Sequence, residues 1–271
     1  MVMYVLLAVL AVLVLLYLFL IRCRRSHPQM ESLRGWSYAH RGLHGNGVPE
    51  NSMLAFRLAR DAGYGIEFDV HLLRDGNLAV IHDASLKRTA GADVLIEDLT
   101  QEQLPEFPLE GTSETIPTLT HVLELYAGAA PLIIELKAER GNASDLCAQV
   151  CHALEGYKGA FCVESFDPRC ISWMKKNRPD LIRGQLAENF FANPRSKLPW
   201  YLKLVLTCHL LNFGTTPDFI AYKFKDRKNL GNFLCRKLWG AQGVTWTIKT
   251  KEEHDIATAE GWIPIFEGFL P

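Results

Sequence analysis

The sequence predicts an α/β fold, a TIM (β/α)8 barrel with a small insertion after its second strand, preceded by one N-terminal transmembrane helix. Three observations lead to this prediction. Short apolar runs alternate with amphipathic stretches after residue 35, eight such strand–helix units fit one domain of this length, and the first 21 residues carry no charged side chain. A doubly wound parallel sheet is the weaker alternative for the same alternation.

The N-terminal apolar run is long enough to cross a bilayer as a helix, which takes about 20 apolar residues. Arg22, Arg24 and Arg25 follow the run directly, and no Lys or Arg precedes it. By the positive-inside rule, we expect a single-pass membrane protein whose remaining chain lies on the cytoplasmic side. The expected division is a transmembrane anchor at 1–21, a basic juxtamembrane linker at 22–34 and the barrel domain at 35–271.

A cleaved signal peptide is the rival interpretation of this run. It would need a basic start, a shorter apolar stretch and small residues at a cleavage site, whereas this chain begins Met-Val-Met-Tyr and its run ends in arginines.

The seven cysteines are an odd number without a Cys-x-x-Cys pair, so neither a disulfide framework nor a zinc site is indicated. Free thiols are typical of a reducing compartment, which agrees with the charge rule.

The predicted elements follow from the periodicity of apolar residues. The barrel strands are expected at 36–39, 65–70, 131–136, 160–163, 182–186, 219–222, 243–247 and 263–266. A turn signal at 74–77 folds a further strand, 78–82, back as a hairpin, and the polar stretch 84–117 is the insertion. The helices are expected at 51–62, 118–126, 145–154, 168–176, 198–211, 228–239 and 251–260.

One helical stretch, 198–206, is unusually apolar, with Trp200, Tyr201 and Lys203 near its start. One hypothesis is an interfacial patch that touches the bilayer beside the barrel mouth. The other interpretation is an outer helix buried against the barrel, which is the commoner fate of such a run and the one we favour.

Polar side chains end successive predicted strands, and the C-terminal strand ends of a barrel form one mouth. They are His40 and Arg41 on the first strand, Glu67 and Asp69 on the second, His82 after the hairpin strand, and Glu135 and Lys137 on the third. Residues i and i+2 of a strand point the same way, so each Glu shares a face with its partner two residues on. Separate segments of the chain therefore converge on one place.

These residue types indicate metal-assisted chemistry on a phosphate ester. Three inward carboxylates cannot all stay ionised without a partner, and a hard cation with oxygen ligands, Mg²⁺ or Ca²⁺, resolves the conflict. The cation and Arg41 would neutralise phosphoryl oxygens, and Lys137 would add a second positive contact. One of His40 and His82 would act as base and the other as acid, in an order that the sequence leaves open.

The motifs form one ordered series: Ala39-His40-Arg41-Gly42, Pro49-Glu50-Asn51-Ser52, Glu67-Phe68-Asp69-Val70, His82-Asp83, Ile134-Glu135-Leu136-Lys137, Glu164-Ser165-Phe166-Asp167-Pro168 and Val244-Thr245-Trp246-Thr247. This series resembles the glycerophosphodiester phosphodiesterase domain family from about Trp36 to Gly261. The resemblance implies a TIM barrel with a small insertion after strand two. It also implies that the protein is an enzyme, a phosphoric diester hydrolase.

The resemblance also implies a role for each site residue. It makes His40 and His82 the catalytic pair. It assigns one divalent cation, Mg²⁺ or Ca²⁺, to Glu67, Asp69 and Glu135. It assigns the substrate and its phosphate to Arg41, Glu50, Lys137 and Trp246, with the indole packing on the alcohol portion.

The reaction implied by the resemblance is hydrolysis of a glycerophosphodiester to glycerol 3-phosphate and an alcohol. Anchored members of the family also hydrolyse lysophospholipids, so a lysophospholipase D acting on membrane lipid is an open alternative. A phospholipase C-like enzyme that forms a cyclic phosphate, and an inactive barrel that binds lipid or a partner protein, are two others. The expected partners are the substrate and, through the N-terminal helix, the bilayer. A net charge of −1 excludes the basic surface typical of nucleic-acid binders.

The C-terminus departs from the family pattern, which commonly closes with Thr-Asp-x-Pro after the eighth strand. We take Phe266 and Glu267 to occupy the Thr-Asp positions, and the sequence up to Pro271 leaves no room for an eighth helix. We therefore expect barrel closure, and any substrate contact from this loop, to differ from the family.

Overall fold

Eight parallel strands close into a barrel in the computed structural model, which describes residues 1–25 and 27–271. In chain order the strands are β1 (Tyr38–His40), β2 (Gly65–Leu72), β3 (Leu78–Val80), β4 (Leu132–Leu136), β5 (Phe161–Ser165), β6 (Arg183–Ala187), β7 (Phe219–Lys223), β8 (Gln242–Ile248) and β9 (Trp262–Phe266). All except β3 belong to the barrel. The predicted TIM barrel is therefore confirmed, with its strands close to their expected positions.

β1 closes the barrel because it pairs with β2 on one side and with β9 on the other. Tyr38 lies opposite Gly65 in one ladder and opposite Ile265 in the other. β3 pairs antiparallel with β2, Val80 opposite Val70, which confirms the predicted hairpin. The hairpin lies outside the barrel and carries the chain back toward the C-terminal strand ends.

The helices lie between the strands, as the alternation predicted. They are α1 (Val2–Leu20), α2 (Met53–Asp61), α3 (Leu119–Tyr126), α4 (Ala143–Ala153), α5 (Pro168–Asn177), α6 (Trp200–Thr207), α7 (Asn212–Thr215), α8 (Leu230–Lys237) and α9 (Lys251–Ala259). The helix predicted at 198–211 is shorter than expected: α6 ends at Thr207, because the chain turns where His209 takes the left-handed backbone conformation, φ 59°, and α7 begins only at Asn212. The ring nitrogen Nε2 of His209 lies 2.7 Å from Asn232 Oδ1, which ties this turn to α8.

The lower end of the barrel, opposite the C-terminal strand ends, is filled by apolar side chains. Met30 and Leu33, from a short 3-10 turn before β1, join the interior cluster that contains Tyr38, Ile133 and Phe219. The hydroxyl of Tyr38 donates a hydrogen bond of 2.9 Å to the carbonyl of Leu33. The buried apolar interior thus begins at this end and leaves the opposite end to polar side chains.

The insertion at 84–117 is a compact layer with its own small core. Leu86, Ile96, Leu104 and Leu109 are buried in a cluster separate from the barrel interior, and three 3-10 turns build the segment. Since it directly follows His82, the insertion lies beside the barrel mouth.

The barrel closes without a helix in residues 267–271. The ring of Phe269 packs against Phe266, with 5.7 Å between centroids, and against His254, with 6.5 Å. The hydroxyl of Tyr64 donates to the Pro271 carbonyl at 3.4 Å. Aromatic packing therefore covers part of the outer face of β9.

α1 is a 19-residue apolar helix that touches the barrel only through its last turn. Tyr17 and Leu18 pack against the main core and Ile21 is fully buried, whereas residues 1–16 are exposed. The helix has the length and composition of a membrane span, and a signal sequence near an N-terminus meets the same criteria.

The residues after α1 are bound to the barrel wall. The Arg24 N–H donates to the Pro217 carbonyl at 2.9 Å. The Arg24 guanidinium pairs with the fully buried carboxylate of Asp218 and donates to the Leu181 carbonyl at 3.0 Å. Of the predicted linker at 22–34, Ser26 lies outside the described residues.

α6 is half-buried, so the expectation of a buried outer helix is met only in part: five of its eight residues are partly buried and three are exposed. None of its residues is buried, and the side chains of Trp200 and Tyr201 are 70% and 53% exposed. Burial against the barrel therefore accounts for only part of this apolar run.

The contact between Arg24 and Asp218 gives a stability prediction. We expect Arg24→Ala to lower the free energy of unfolding by about 3 kcal/mol, because it leaves the buried Asp218 carboxylate without its paired guanidinium. Chemical denaturation in detergent measures the loss. Arg25→Ala is the matched control, since its guanidinium donates only to the Leu238 carbonyl at the surface. Equal stability of the two variants would contradict a structural role for Arg24.

Candidate active site

Three buried carboxylates meet at the C-terminal ends of the barrel strands. Glu67 and Asp69 lie two residues apart on β2, and Glu135 lies on β4 opposite Asp69. One carboxylate oxygen of each lies within 4.8 Å of those of the other two. The alternation of side chains along a strand therefore brings together the three acids that the sequence singled out, and their role as metal ligands stays a prediction.

Asp69 is the acid with the most cationic neighbours. Its Oδ1 lies 3.0 Å from Lys137 Nζ, and its Oδ2 lies 3.5 Å from Arg41 Nε. The amide of Asn51 donates to Oδ2 at 2.9 Å. Burial opposes ionisation, but Lys137, His82 and Arg41 outweigh it and hold the pKa of Asp69 well below its usual range. Asp69 is therefore a carboxylate at neutral pH.

The pKa values of Glu67 and Glu135 are shifted in the opposite direction. Burial, followed by the charge of Asp69 and other nearby carboxylates, raises the pKa of Glu67 well above its usual range. Burial also raises the pKa of Glu135 to about 7, although Lys137 Nζ lies 2.7 Å from its Oε1. Glu67 Oε2 is buried and has no hydrogen-bond partner among the described residues. This unpartnered oxygen, in a set of carboxylate donors only, fits a hard divalent cation such as Mg²⁺ or Ca²⁺.

His40, at the end of β1, is held by a carboxylate from the last strand connection. Its Nδ1 lies 2.6 Å from Oε2 of Glu267, and Oε1 of Glu267 lies 2.6 Å from Lys249 Nζ. Burial opposes the ionisation of Glu267, but these two contacts outweigh burial and lower its pKa. Glu267 is therefore an ionised hydrogen-bond acceptor. Nδ1 therefore carries the proton, and Nε2, 3.8 Å from Glu67 Oε2, faces the three acids. Burial lowers the pKa of His40 to about 4, which keeps the free imidazole neutral.

The loop after β1 positions Arg41 through a tight backbone conformation. Arg41 and Gly42 both have positive φ, 55° and 81°. A Cβ on Gly42 would lie 2.8 Å from the carbonyl carbon of Ala55, so only glycine lets the loop approach α2 this closely. Arg41 then donates to Glu50 Oε1 at 3.0 Å, which points its guanidinium toward the acids.

His82 is held in the same manner as His40, by a different carboxylate. Its Nδ1 lies 2.6 Å from Oδ1 of the adjacent Asp83. Arg88, from the insertion, donates to Asp83 Oδ2 at 2.5 Å and to Glu50 Oε1 at 2.6 Å. Burial lowers the pKa of His82. The insertion thus completes the hydrogen bonding on this side of the mouth.

Trp246 lies on β8, on the far side of β9 from His40. Its ring packs edge-on against Phe166 with 5.7 Å between centroids, and Lys223 Nζ lies 5.7 Å from the ring centre. The mouth therefore has an aromatic wall beside its charged centre, where the sequence predicted a substrate contact.

Two residues near the acids were not predicted from the sequence to act there. Glu164, on β5, lies opposite Glu135 in the sheet register, and burial, followed by the charge of Glu135, raises its pKa. Asn51 was expected within the first barrel helix, but Ser52 accepts the capping hydrogen bond from Ala55 and Asn51 instead binds Asp69. Asn51 has a φ of 52°, and the only signal of this in the sequence is that Asn tolerates the left-handed conformation better than most residues.

A second group of possible ligands consists of His40, His44 and Glu267, whose donor atoms also lie within 4.8 Å of one another. Both carboxylate oxygens of Glu267 are already engaged, one by His40 and one by Lys249. Binding a cation here would break the contact that orients His40, so the three-carboxylate cluster is the better cation site.

Comparison with known proteins agrees with this geometry. The model of the glycerophosphoryl diester phosphodiesterase family matches residues 40–207, a segment that contains all the predicted site residues except Trp246. A glycerophosphodiester phosphodiesterase from Caldanaerobacter subterraneus is 29% identical over 230 residues, covering 80% of this chain and 87% of that protein. A lysophospholipase D from Rattus norvegicus is 33% identical over 133 residues, covering 44% of this chain and 41% of that protein.

Solved structures share the fold. A phosphodiesterase from Oleispira antarctica, in complex with the product sn-glycerol-3-phosphate, superposes with a TM-score of 0.70 at 24% identity, covering 86% of this chain and 92% of the other. A glycerophosphodiester phosphodiesterase from Thermotoga maritima gives 0.65 at 23% identity, covering 85% and 93%. At these identities the likeness establishes the barrel and no more.

The acidic cluster predicts cation binding that depends on Glu67. We expect the wild-type chain to bind one Mg²⁺ or Ca²⁺ in calorimetric titration, and Glu67→Gln to weaken binding by about 10- to 100-fold because one charged oxygen ligand is lost. The cation should also raise the melting temperature of the wild type more than that of Glu67→Gln. Glu155→Gln, an exposed acid at the opposite end of the barrel, is the control. Unchanged affinity in Glu67→Gln would rule out the cluster as the cation site.

Proposed function

The chain belongs to the glycerophosphoryl diester phosphodiesterase family, and on that basis we propose that it hydrolyses glycerophosphodiesters to glycerol 3-phosphate and an alcohol. The observation that carries the proposal is the pair of oriented histidines beside three buried carboxylates. Each histidine has its Nδ1 held by a carboxylate, Glu267 for His40 and Asp83 for His82. This leaves both Nε2 atoms for proton transfer at one mouth.

We propose that Glu67, Asp69 and Glu135 hold one divalent cation, Mg²⁺ or Ca²⁺. The support is the carboxylate-only donor set and the buried, unpartnered Oε2 of Glu67. When bound, the cation supplies positive charge against the phosphoryl oxygens of the diester. It also removes the cost of three acids in a buried space, since Lys137 and Arg41 together carry fewer positive charges than the acids carry negative ones.

Arg41 and Lys137 are the proposed phosphate contacts. Both are at least half-buried and reach Asp69, so their positive charge lies at the edge of the acidic cluster. Glu50 binds both Arg41 and Arg88, which fixes the direction of the Arg41 guanidinium. A guanidinium and an ammonium in fixed positions bind a phosphate diester and stabilise the charge that grows on its oxygens during attack.

His40 and His82 exchange the protons of the reaction. In the neutral form each carries its proton on Nδ1, so Nε2 can accept a proton from the attacking water. The other histidine, which becomes protonated when the anionic diester is bound beside it, donates from Nε2 to the leaving alkoxide. Glu267 and Asp83 stabilise the imidazolium that forms, because each is an anion in contact with the opposite ring nitrogen.

Trp246 is the proposed contact for the alcohol portion of the substrate. Its indole forms an aromatic wall with Phe166 and lies away from the acids and cations. A flat apolar surface accepts alcohols of different shape, so this wall favours binding without strict selection for one headgroup.

A lysophospholipase D activity on membrane lipid is the second candidate. A lysophospholipase D from Rattus norvegicus is among the similar proteins, and α1 has the properties of a membrane span. We propose that residues 1–21 anchor the chain as a single-pass protein, and that Arg22, Arg24 and Arg25 keep the barrel on the cytoplasmic side.

The first activity prediction separates substrate and mechanism. Purified full-length protein should release glycerol 3-phosphate from glycerophosphocholine and lysophosphatidic acid from lysophosphatidylcholine, and EDTA should abolish both reactions until Mg²⁺ or Ca²⁺ is restored. His40→Ala and His82→Ala should each lower kcat by about 100- to 10,000-fold. His152→Ala, a surface histidine, is the control. A cyclic phosphate product would indicate the phospholipase C-like route, and equal activity in all variants an inactive barrel.

The second activity prediction concerns Glu267 as the residue that orients His40. Glu267→Gln should lower kcat by about 10- to 100-fold and change KM less than twofold, because the amide still fills the position but no longer stabilises the imidazolium. The pH profile of kcat should also shift toward lower pH, because His40 loses an anionic neighbour that raises its pKa. Glu260→Gln, an acid paired with Arg227 away from the mouth, is the control. A change in KM with kcat unchanged would contradict this role.

A further inference from the structure

The direction of α1 relative to the barrel follows from three successive contacts. The Tyr17 hydroxyl lies beside Gly231, at the start of α8, 3.4 Å from the point where a side chain on this glycine would begin. Four residues later, the Ile21 carbonyl accepts from the Cys235 thiol at 3.4 Å, one turn further along α8. Arg24 then binds Pro217, just before β7. A helix that follows a barrel strand starts at the mouth, so α1 runs from the mouth toward the opposite end.

This direction fixes where the rest of α1 projects. Only its last turn contacts the barrel, and residues 1–16 precede that turn, so they extend away from the barrel on the mouth side. The fifteen helical residues among them, 2–16, span about 22 Å, most of the roughly 30 Å hydrocarbon core of a bilayer. If this part of α1 crosses the membrane, the bilayer surface lies level with the mouth.

The same side of the barrel carries a group of exposed aromatic and aliphatic side chains, here called the apolar rim: Phe191, Trp200, Tyr201, Leu204, Leu230 and Phe233. Phe191 belongs to the segment after β6, the next three to α6, and the last two to the first turn of α8, all of which follow C-terminal strand ends. The end of α6 is held at the mouth, because the Thr207 carbonyl accepts from Tyr222 at 3.4 Å. A rim of this composition is typical of a surface that enters the interfacial region of a bilayer.

Basic residues accompany the apolar rim: Arg195, Lys197, Lys203 and Lys225. Most of them are exposed, and only three acids, Glu188, Asp218 and Asp226, lie in the same stretch of chain, 188–230. Asp218 is buried with Arg24 at the opposite end, so it does not offset this charge at the mouth. Positive charge next to exposed aromatics favours an anionic lipid surface.

We propose that the barrel mouth faces the bilayer, with the apolar rim seated in the lipid interface. This inference rests on the proposed anchor and deepens the proposed function, because it identifies the preferred substrate as a lysophospholipid already in the membrane. The glycerophosphoryl headgroup reaches the acids while the acyl chain stays near the apolar rim and α1. A protein partner or a second copy on the rim is the alternative occupant. The bilayer is favoured because the rim and the exposed part of α1 lie on one side of the barrel.

The orientation is tested directly with a fluorophore. Six of the seven cysteines are buried, and Cys208 is partly exposed, so Cys208→Ser gives a background for labelling. An environment-sensitive dye is attached to Trp200→Cys, and to Leu238→Cys as the matched control, because Leu238 is exposed at the opposite end of α8. In nanodiscs of phosphatidylcholine and phosphatidylglycerol, the dye at 200 should shift to the blue and be quenched by spin-labelled lipid, and the dye at 238 should show neither effect.

Equal aqueous spectra at 200 and 238 in nanodiscs would overturn the proposal, as would a chain that fails to enter nanodiscs. Protection of the dye at 200 in detergent, without lipid quenching, would assign the apolar rim to a second copy and overturn it too. These readouts do not depend on catalysis. A correctly oriented chain that hydrolyses neither substrate would therefore refute the proposed function while leaving the orientation supported.

Activity supplies the second test. Trp200→Ser with Tyr201→Ser should lower hydrolysis of bilayer lysophosphatidylcholine by about tenfold, chiefly through the apparent KM, because the interface contact is lost. Hydrolysis of water-soluble glycerophosphocholine should change less than twofold, since neither side chain touches the site. Ile256→Ser with Leu238→Ser, exposed apolar residues elsewhere, should change neither rate. An equal effect of the rim variant on both substrates would overturn the proposal.

Discussion

The organisation of this protein depends on one electrostatic constraint, the burial of several acids at the end of a barrel. Asp69 is kept ionised by Lys137 and Arg41, whereas Glu67 and Glu135 have raised pKa values because burial and neighbouring carboxylates oppose their charge. Such an arrangement is costly to fold unless positive charge is supplied from outside. The barrel bears this cost at its mouth, where the closed apolar interior and the strand ends hold the acids close together.

The two histidines are positioned by the same device from two unrelated parts of the chain. His40 takes its carboxylate from the segment after the last strand, and His82 takes its carboxylate from the next residue. In both cases Nδ1 contacts a carboxylate, so Nε2, on the opposite side of the ring, stays free of that contact. Residues 267–271, which form no helix, therefore serve the site through Glu267.

The N-terminal segment is continuous with the barrel in structure as well as in sequence. Its apolar turn, with Met30 and Leu33, fills the lower end, and Arg24 fixes it to the wall beside β7. Because the last turn of α1 packs along α8, the helix and the mouth have a defined relation. An attachment of this kind fixes the direction of α1 relative to the barrel mouth, which a flexible linker would not do.

The sequence by itself determined the barrel, the hairpin, the insertion and the convergence of seven polar residues, since these follow from local periodicity and from the rule that strand ends share one mouth. It did not determine the left-handed conformation of Asn51, the contact between Glu267 and His40, or the incomplete burial of α6. Each of these depends on residues far apart in the chain. Local patterns specify which way a side chain points along its own element, and only the closed barrel decides what lies opposite it.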